Sequence, residues 1–365
     1  MSNCGFYKVG NKVILNKITA ILEAENTHQF PYFNFHDEIY SQFDWSKEPT
    51  ETLDQLYAAR AWELRNKYDH LILQFSGGGD SANIMETFIN NKIPLDEVLI
   101  RGAHSASEKN LNNTSAKNFF AENYLNAYPL AEYIKNTFYP DLKITVVDTV
   151  DYTIKWFEKN KNWHEDHNFV MFTPGIAWRS DCNNIDQSFQ ERAEKGVKQA
   201  HILGLEKPLM SYENGNYQVK FLDQYCNNLL YPSLNQPDLP YNIEAFYWGE
   251  STAPMIIKQA HAIKNYIKNN RLSPDVLKRR GRAYHDWLAN IIYRRTLPVF
   301  YQAEKNSFSA FETDEFFFRD PGKHVKNFLT GVKCLTDPIP DKWKTVTQHG
   351  ITLTGIWSKS YNVDP

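Results

Sequence analysis

The chain has 365 residues, 42% of them hydrophobic and 15% aromatic, and a formal net charge of −3. That is enough apolar material for a sizeable core in one or two domains, and the slightly acidic balance gives no global positive field to recruit nucleic acid. No apolar run approaches the roughly 20 residues of a membrane span, and the four cysteines, at positions 4, 182, 226 and 334, form no Cys-x-x-Cys pair for metal or redox work.

Along the chain, residues 1–50 show no regular pattern. Phe30–His36 and Phe43–Trp45 alternate aromatic and polar, as a small cap over a main domain would. Residues 50–68 are expected to be helical, capped by Thr50 or Thr52, with Leu53, Leu56, Tyr57, Ala61, Leu64 and Tyr68 at near-helical spacing. Leu71–Phe75 is a nearly continuous apolar run, the mark of a strand buried on both faces of a parallel sheet. Ser76-Gly77-Gly78-Gly79-Asp80-Ser81 follows, then a helical run from Ala82 to Asn91 with Ile84, Phe88 and Ile89 on one side.

Glu97–Gly102 reads as a second strand. After a polar stretch, Phe119–Phe138 reads as helix with a break or new start at Pro129. Lys143–Asp148 is a third strand, followed by a helix from about Tyr152 to Lys159. Residues 160–185 are loop-like, 187–199 helical, and Ala200–Leu205 forms a fourth strand. The Pro- and Asn-rich residues 212–245 are expected to be a linker or covering loop. Residues 250–300 are expected to be helical, with a stripe of Ile256, Ile257, Ala260, Ile263, Tyr266 and Ile267, and the remainder irregular. The one basic stretch, Lys278-Arg279-Arg280-Gly281-Arg282 followed by Arg294-Arg295, fits either a solvated helix face or a phosphate contact.

Strands alternating with helices imply βαβ units, hence an α/β fold with a parallel sheet flanked by helices. The expected organisation is an N-terminal extension over 1–68, an α/β domain over 69–210 and a mainly helical region over 211–365. Ligands of such sheets bind at the carboxyl ends of the strands, so the Ser76–Ser81 loop, Gly102, Asp148 and Gly204 are expected on one rim.

The strand–glycine turn–helix layout is an anion site built from backbone. Glycines permit close approach and positive φ, and the first N–H groups of the helix have no intrahelical partner and point at the ligand. Ser76 and Ser81 add hydroxyls, and Asp80 suits magnesium. The plain alternative is a tight turn with Asp80 as N-cap. No lysine precedes Ser81, so the loop is not of the Gly-Lys-Ser/Thr type.

Those six residues resemble the Ser-Gly-Gly-x-Asp-Ser loop of the N-type ATP pyrophosphatases, the PP-loop family. The order of elements over about 65–270 is also loosely similar to the synthetase domain of asparagine synthetase. The resemblance implies an adenine nucleotide alpha hydrolase-like, Rossmann-like fold and ATP with Mg2+ as ligands. It further implies cleavage between the α and β phosphates to AMP and pyrophosphate. Such cleavage activates a carboxylate or carbonyl oxygen for attack by ammonia or an amine.

It also implies that Ser76, Gly77, Gly78, Gly79, Asp80 and Ser81 hold the nucleotide, with Arg101 and Gly204 beside them. Asp80 and Glu206 are the implied metal ligands, and Asp80, Lys207 and Lys258 the implied catalytic groups. For Arg101 and Lys258 a surface position is the alternative. The acceptor is expected to be a small or nucleotide-like molecule. Cys4 does not directly follow the initiator methionine and no glutaminase domain is evident, so ammonia is expected from solution or a separate partner.

Relatives with other chemistry fit less well. Cys334, in Val332-Lys333-Cys334-Leu335, lacks the Glu-Cys-Gly context of phosphoadenylylsulfate reductases, and thiolation and nitrile-forming enzymes use cysteine sets absent here. His164 and His167 have no further ligand placed to complete a tetrahedral metal set, and Cys182 is the best thiol candidate if sulfur chemistry occurs, with a buried or inert cysteine as the alternative. A nucleotide-binding module without turnover is the alternative from another class. Met1–Tyr7 lack a basic region followed by an apolar stretch, so a cytoplasmic protein with free thiols is expected.

Overall fold

Residues 5–50 are ordered where the sequence shows no pattern. β1 (Phe6–Val9), β2 (Lys12–Ile14) and β3 (Tyr32–Asn34) make an antiparallel sheet with β1 in the middle. α1 (Lys17–Thr27) starts at Asn16, whose side chain accepts the Thr19 amide at 2.9 Å. The computed structural model describes residues 5–102, 104, 123–165, 187–204, 207–223, 241–279, 282–301, 323–347 and 350–365.

A short α2 (Asp37–Tyr40) leads to α3 (Leu53–Lys67), which Thr52 caps in a reciprocal box with Gln55. Then come β4 (His70–Gln74), α4 (Gly79–Asn90) and β5 (Glu97–Gly102). A π-helical turn over Asn123–Ala127 opens α5 (Tyr128–Thr137), with Pro129 in its first turn where no amide is missed. β6 (Lys143–Asp148), α6 (Val150–Lys159), α7 (Gln187–Glu194) and β7 (Gln199–Leu203) complete the expected alternation.

The stretch expected to be a linker instead holds structure. β8 (Leu209–Glu213) and β9 (Asn216–Lys220) form an antiparallel hairpin, and β10 (Asn242–Ala245) joins the main sheet. The hairpin turns on Asn214 and Gly215, at φ 52° and 84°, the left-handed pair that a tight two-residue turn requires. α8 (Ala253–Asn269), α9 (Arg282–Ile292) and α10 (Lys323–Thr336) follow. β11 (Lys344–Thr347), β12 (Gly350–Leu353) and β13 (Tyr361–Asn362) end the chain, and β13 pairs with β9.

The main sheet has five parallel strands in the order β10-β7-β4-β5-β6. Leu71, Ile72 and Leu73 of β4 are fully buried. Leu71 and Leu73 face the large core, while Ile72 faces a smaller cluster with Leu99, Phe189 and Tyr241. Both faces are covered, as the apolar run requires. The chain moves outward from β4 through β5 to β6, then crosses to β7 on the other side of β4. The β4–β7 junction is therefore the topological switch point, where open α/β sheets bind ligands.

One hydrophobic cluster runs from Tyr7 and Phe33 through Leu71 and Trp248 to Ile356 and Val363, so the three expected segments share a core. A buried ion pair ties them further. Lys17 lies 2.7 Å from Asp223, both side chains fully buried, and Asp223 also accepts the Tyr7 hydroxyl and the Ile356 amide. No helix among the described residues is long and apolar enough to cross a membrane.

Candidate nucleotide site

β4 ends at Gln74, and the chain turns through Ser76–Gly78 into α4. Gly78, not Asp80, is the N-cap, and Asp80 stands in the first helical turn. The N-cap alternative is thereby excluded. Its carboxylate is instead aimed at side chains beyond the helix and still profits from the exposed N–H dipoles. Of the three glycines only Gly77 has positive φ, at 74°. An added Cβ there would lie 2.9 Å from the backbone of Ala127, so the loop is seated directly on the turn before α5.

The loop holds its own shape. Ser76 Oγ accepts the Gly78 amide at 3.3 Å, Ser81 Oγ donates to the Gly78 carbonyl at 3.2 Å, and the two hydroxyls are 3.3 Å apart. Asn126 braces it from outside, donating to the Gly77 carbonyl at 2.8 Å and accepting the Phe300 and Tyr301 amides. Gly204, just past β7, packs against the same turn. A Cβ there would be 3.1 Å from the Ser81 nitrogen and 3.2 Å from the Asp80 carbonyl carbon.

Asp80 is the centre of a polar group drawn from four elements. Lys207, after β7, places its ammonium 2.8 Å from both carboxylate oxygens. Tyr293, just beyond α9, donates its hydroxyl to Asp80 Oδ1 at 2.6 Å. Tyr247, just beyond β10, donates to the Asp80 main-chain carbonyl at 2.9 Å and accepts from Asn83 Nδ2. The two phenol rings stack at 5.5 Å. Burial, with neighbouring negative charge including Asp80, pushes both phenols well above their ordinary value, so both stay neutral donors.

Beside the loop lies a cavity of about 290 Å³, bounded by Gly77–Gly79, Asn126, Asp286, Asn290 and Arg295 among others. One face of α4 (Gly79, Ala82, Asn83, Glu86) forms its floor. Asp286 contributes a buried oxygen, Oδ2, with no hydrogen bond among the described residues. Arg295 is held by Asn290 at 2.9 Å.

The structure thus brings together Ser76, Gly77, Gly78, Gly79, Asp80, Ser81, Gly204 and Lys207. Arg101 is the penultimate residue of β5, and the parallel pairing of Gln74 with Leu99 sets it level with Ser76, just past the end of β4. Lys258 is not part of the group. It sits on α8 with its ammonium 2.7 Å from Glu48 and 2.9 Å from the Pro49 carbonyl, because position 258 faces the loop before α3. Glu206, His167, Cys182 and the centre of the basic stretch, Arg280-Gly281, lie outside the described residues. The flanks of that stretch divide: Lys278 pairs with Asp275 at the surface, whereas Arg295 reaches the cavity.

Sequence reasoning missed Tyr247, Tyr293 and Asn126. Tyr247 had an available signal, since it follows the carboxyl end of a fifth strand that the Pro-rich reading of 212–245 concealed. Among the described residues no set of three His, Cys, Asp or Glu side chains converges to hold a metal ion. No protein-family model matches this chain, and no curated protein matches its sequence.

Proposed function

We propose that this protein is an adenylating ATP pyrophosphatase of the PP-loop kind. It would bind ATP at Ser76–Ser81 and split it between the α and β phosphates to activate a carboxylate or carbonyl oxygen. The observation that carries this reading is the loop's position. The six residues stand at the switch point of a doubly wound sheet, with Gly204 and Lys207 from the neighbouring strand end packed against them.

The residues define a division of labour. The amides at the start of α4 and the hydroxyls of Ser76 and Ser81 donate to phosphate oxygens. Lys207 is placed to share its charge between Asp80 and a phosphate, which stabilises the negative charge that builds on departing pyrophosphate. Tyr293 and Tyr247 fix the carboxylate and main chain of Asp80. One carboxylate plus phosphate oxygens and water is a donor set that suits magnesium. Asp80 would hold the ion, which supplies neutralisation of phosphate charge.

In the reaction the acceptor oxygen bonds to the α phosphorus and the bond to the bridging oxygen breaks. Pyrophosphate leaves with that electron pair. Ammonia or an amine, from solution or a partner, then adds to the activated carbon, loses a proton and displaces AMP. Most of the barrier reduction in such a step comes from positioning and charge.

The closed Lys207–Asp80 pair favours a second reading, a nucleotide-binding module without turnover, since the carboxylate is already neutralised. Incubation with magnesium and α-labelled ATP separates the two. Labelled AMP from the parent protein, lost in Asp80→Asn, is the expected result. ADP as product would remove the pyrophosphatase reading, and bound ATP with no product would leave the module.

A further inference from the structure

A second cavity, of about 450 Å³, lies among Leu209, Met210, Lys220, Leu222, Tyr284, His285 and Trp357. It is larger than the cavity at the loop and falls within the range of about 300–1,000 Å³ typical of small-molecule sites. Its wall is mostly apolar and aromatic, with a charged pair, Lys220 and Glu213 at 2.8 Å, on its border.

Trp357 is the telling residue. Its backbone is fixed from both sides. It bridges Leu222, its carbonyl accepts the Phe33 amide at 3.1 Å, and the next amide, of Ser358, donates to Phe221 at 2.9 Å. Yet the residue is 43% exposed. Among the described residues it stacks on no other ring, in a protein whose remaining aromatics pack extensively on one another. An indole carried on a fixed backbone at the edge of a cavity is a stacking platform. Exposing that much apolar surface costs folding free energy that burial would recover.

The cavity is close to the loop. α9 is the wall between the two. Tyr284 and His285 face this cavity, Asp286 and Asn290 face the loop cavity, and Ala289 lies against Gly79. From His285 to Ala289 is one helical turn, about 6 Å along the axis. On the other side, Leu209 is two residues from Lys207, a span of at most about 7.6 Å between Cα atoms.

We infer that this cavity binds a planar, nitrogen-bearing aromatic ring of the nucleobase type, stacked on Trp357 with its polar edge toward His285 and the Lys220–Glu213 pair. Its service as the acceptor site rests on the adenylating reading above; its existence as a ring-binding site does not.

The test is calorimetric titration of guanosine and of cytidine, as purine and pyrimidine probes, into protein saturated with α,β-methylene-ATP and magnesium. At least one nucleoside is expected to bind the loaded protein. Trp357→Ala should weaken that binding at least about fivefold, the lower bound for a stacked base, and Trp357→Phe should restore most of it. The exposed position of the indole makes either variant compatible with folding. Failure of both nucleosides to bind, displacement of the nucleoside by the ATP analogue, or an unchanged affinity in Trp357→Ala would each overturn the inference. Nucleoside binding that responds to Trp357→Ala in a protein that ignores the ATP analogue would uphold the pocket while sinking the adenylating reading.

Discussion

Replacing Gly77 by alanine tests the seat of the loop. Two costs add at that position. The left-handed backbone, at φ 74°, costs an alanine about 1–2 kcal/mol. The new methyl would lie 2.9 Å from the nitrogen and Cα of Ala127. Those are backbone atoms that cannot swing aside, and forced overpacking of this sort costs about 1–3 kcal/mol. The sum is about 2–5 kcal/mol, a large part of the roughly 5–15 kcal/mol that holds a domain folded. Gly196 supplies the control. Its φ is 77°, but an added Cβ meets nothing within 4 Å, so Gly196→Ala should cost only the conformational part. Urea unfolding of both variants, compared at constant m, isolates the contact as the difference. Equal losses in the two variants would refute the claim that the loop rests on Ala127. On the proposed function, Gly77→Ala should also lose affinity for α,β-methylene-ATP, because relief of the clash displaces the amides assigned there to the phosphates, while Gly196→Ala should keep it.

Tyr293→Phe keeps the buried ring and removes one donor from the Asp80 carboxylate; a loss of about 1.5–3 kcal/mol in unfolding free energy is expected for a hydrogen bond to a charged group, and an unchanged stability would show that the 2.6 Å contact is not formed in solution. Glu97, fully buried at the start of β5, bears on acid stability. Burial pushes its carboxyl up, but His70, Thr145, Lys143 and Arg192 together outweigh this and hold it below the ordinary 4.5. A depressed folded value means that the unfolded chain binds the proton first, so this stabilisation is complete above about pH 4.5 and is lost as pH falls through the folded value. Glu97→Gln should therefore lower stability at neutral pH and flatten the acid limb of the stability curve below pH 4.5, as read by urea midpoints across pH.

What could be read from the sequence was what long apolar periodicity and glycine chemistry encode. β4 announces itself because Leu71, Ile72 and Leu73 must be buried on both faces, and α3 because Thr52 and Gln55 form a capping box. The four strands flanked by helices followed from the same logic. The fifth, β10, was hidden because Asn242–Ala245 is short and sits after proline- and asparagine-rich chain, so composition outweighed the strand. The Asn214-Gly215 turn carried a hairpin signal that the same composition masked. The N-terminal sheet was illegible for a different reason. Its strands span three or four residues each, too few to show a period, and Phe35, just past β3, packs against Phe221 and Trp248 far along the chain. At the site, the loop was legible as a contiguous string and Lys207 as the lysine after the fourth strand, whereas Tyr247 and Tyr293 meet Asp80 only through packing of chain far from the loop.

That assembly has an electrostatic consequence for the proposed nucleotide. Among the described residues, the cationic side chains around the loop include Lys207, Arg295 and, level with Ser76, Arg101, and the carboxylates include Asp80, Glu86 and Asp286. The start of α4 adds the equivalent of about half a positive charge. With three carboxylates against three cations, these described side chains nearly cancel and do not by themselves offset a triphosphate. Lys207 is moreover already committed to both oxygens of Asp80. A loop designed around bare backbone amides and one carboxylate is suited to a polyphosphate that arrives with its cation, and Asp80 is the acid that such a cation would meet first. In the same terms, an acidic residue within the first turn of the helix, which would repel a naked phosphate, becomes an asset. The pairing with Lys207 holds its carboxylate in place, and the two tyrosines fix its carboxylate and main chain at the mouth of the turn.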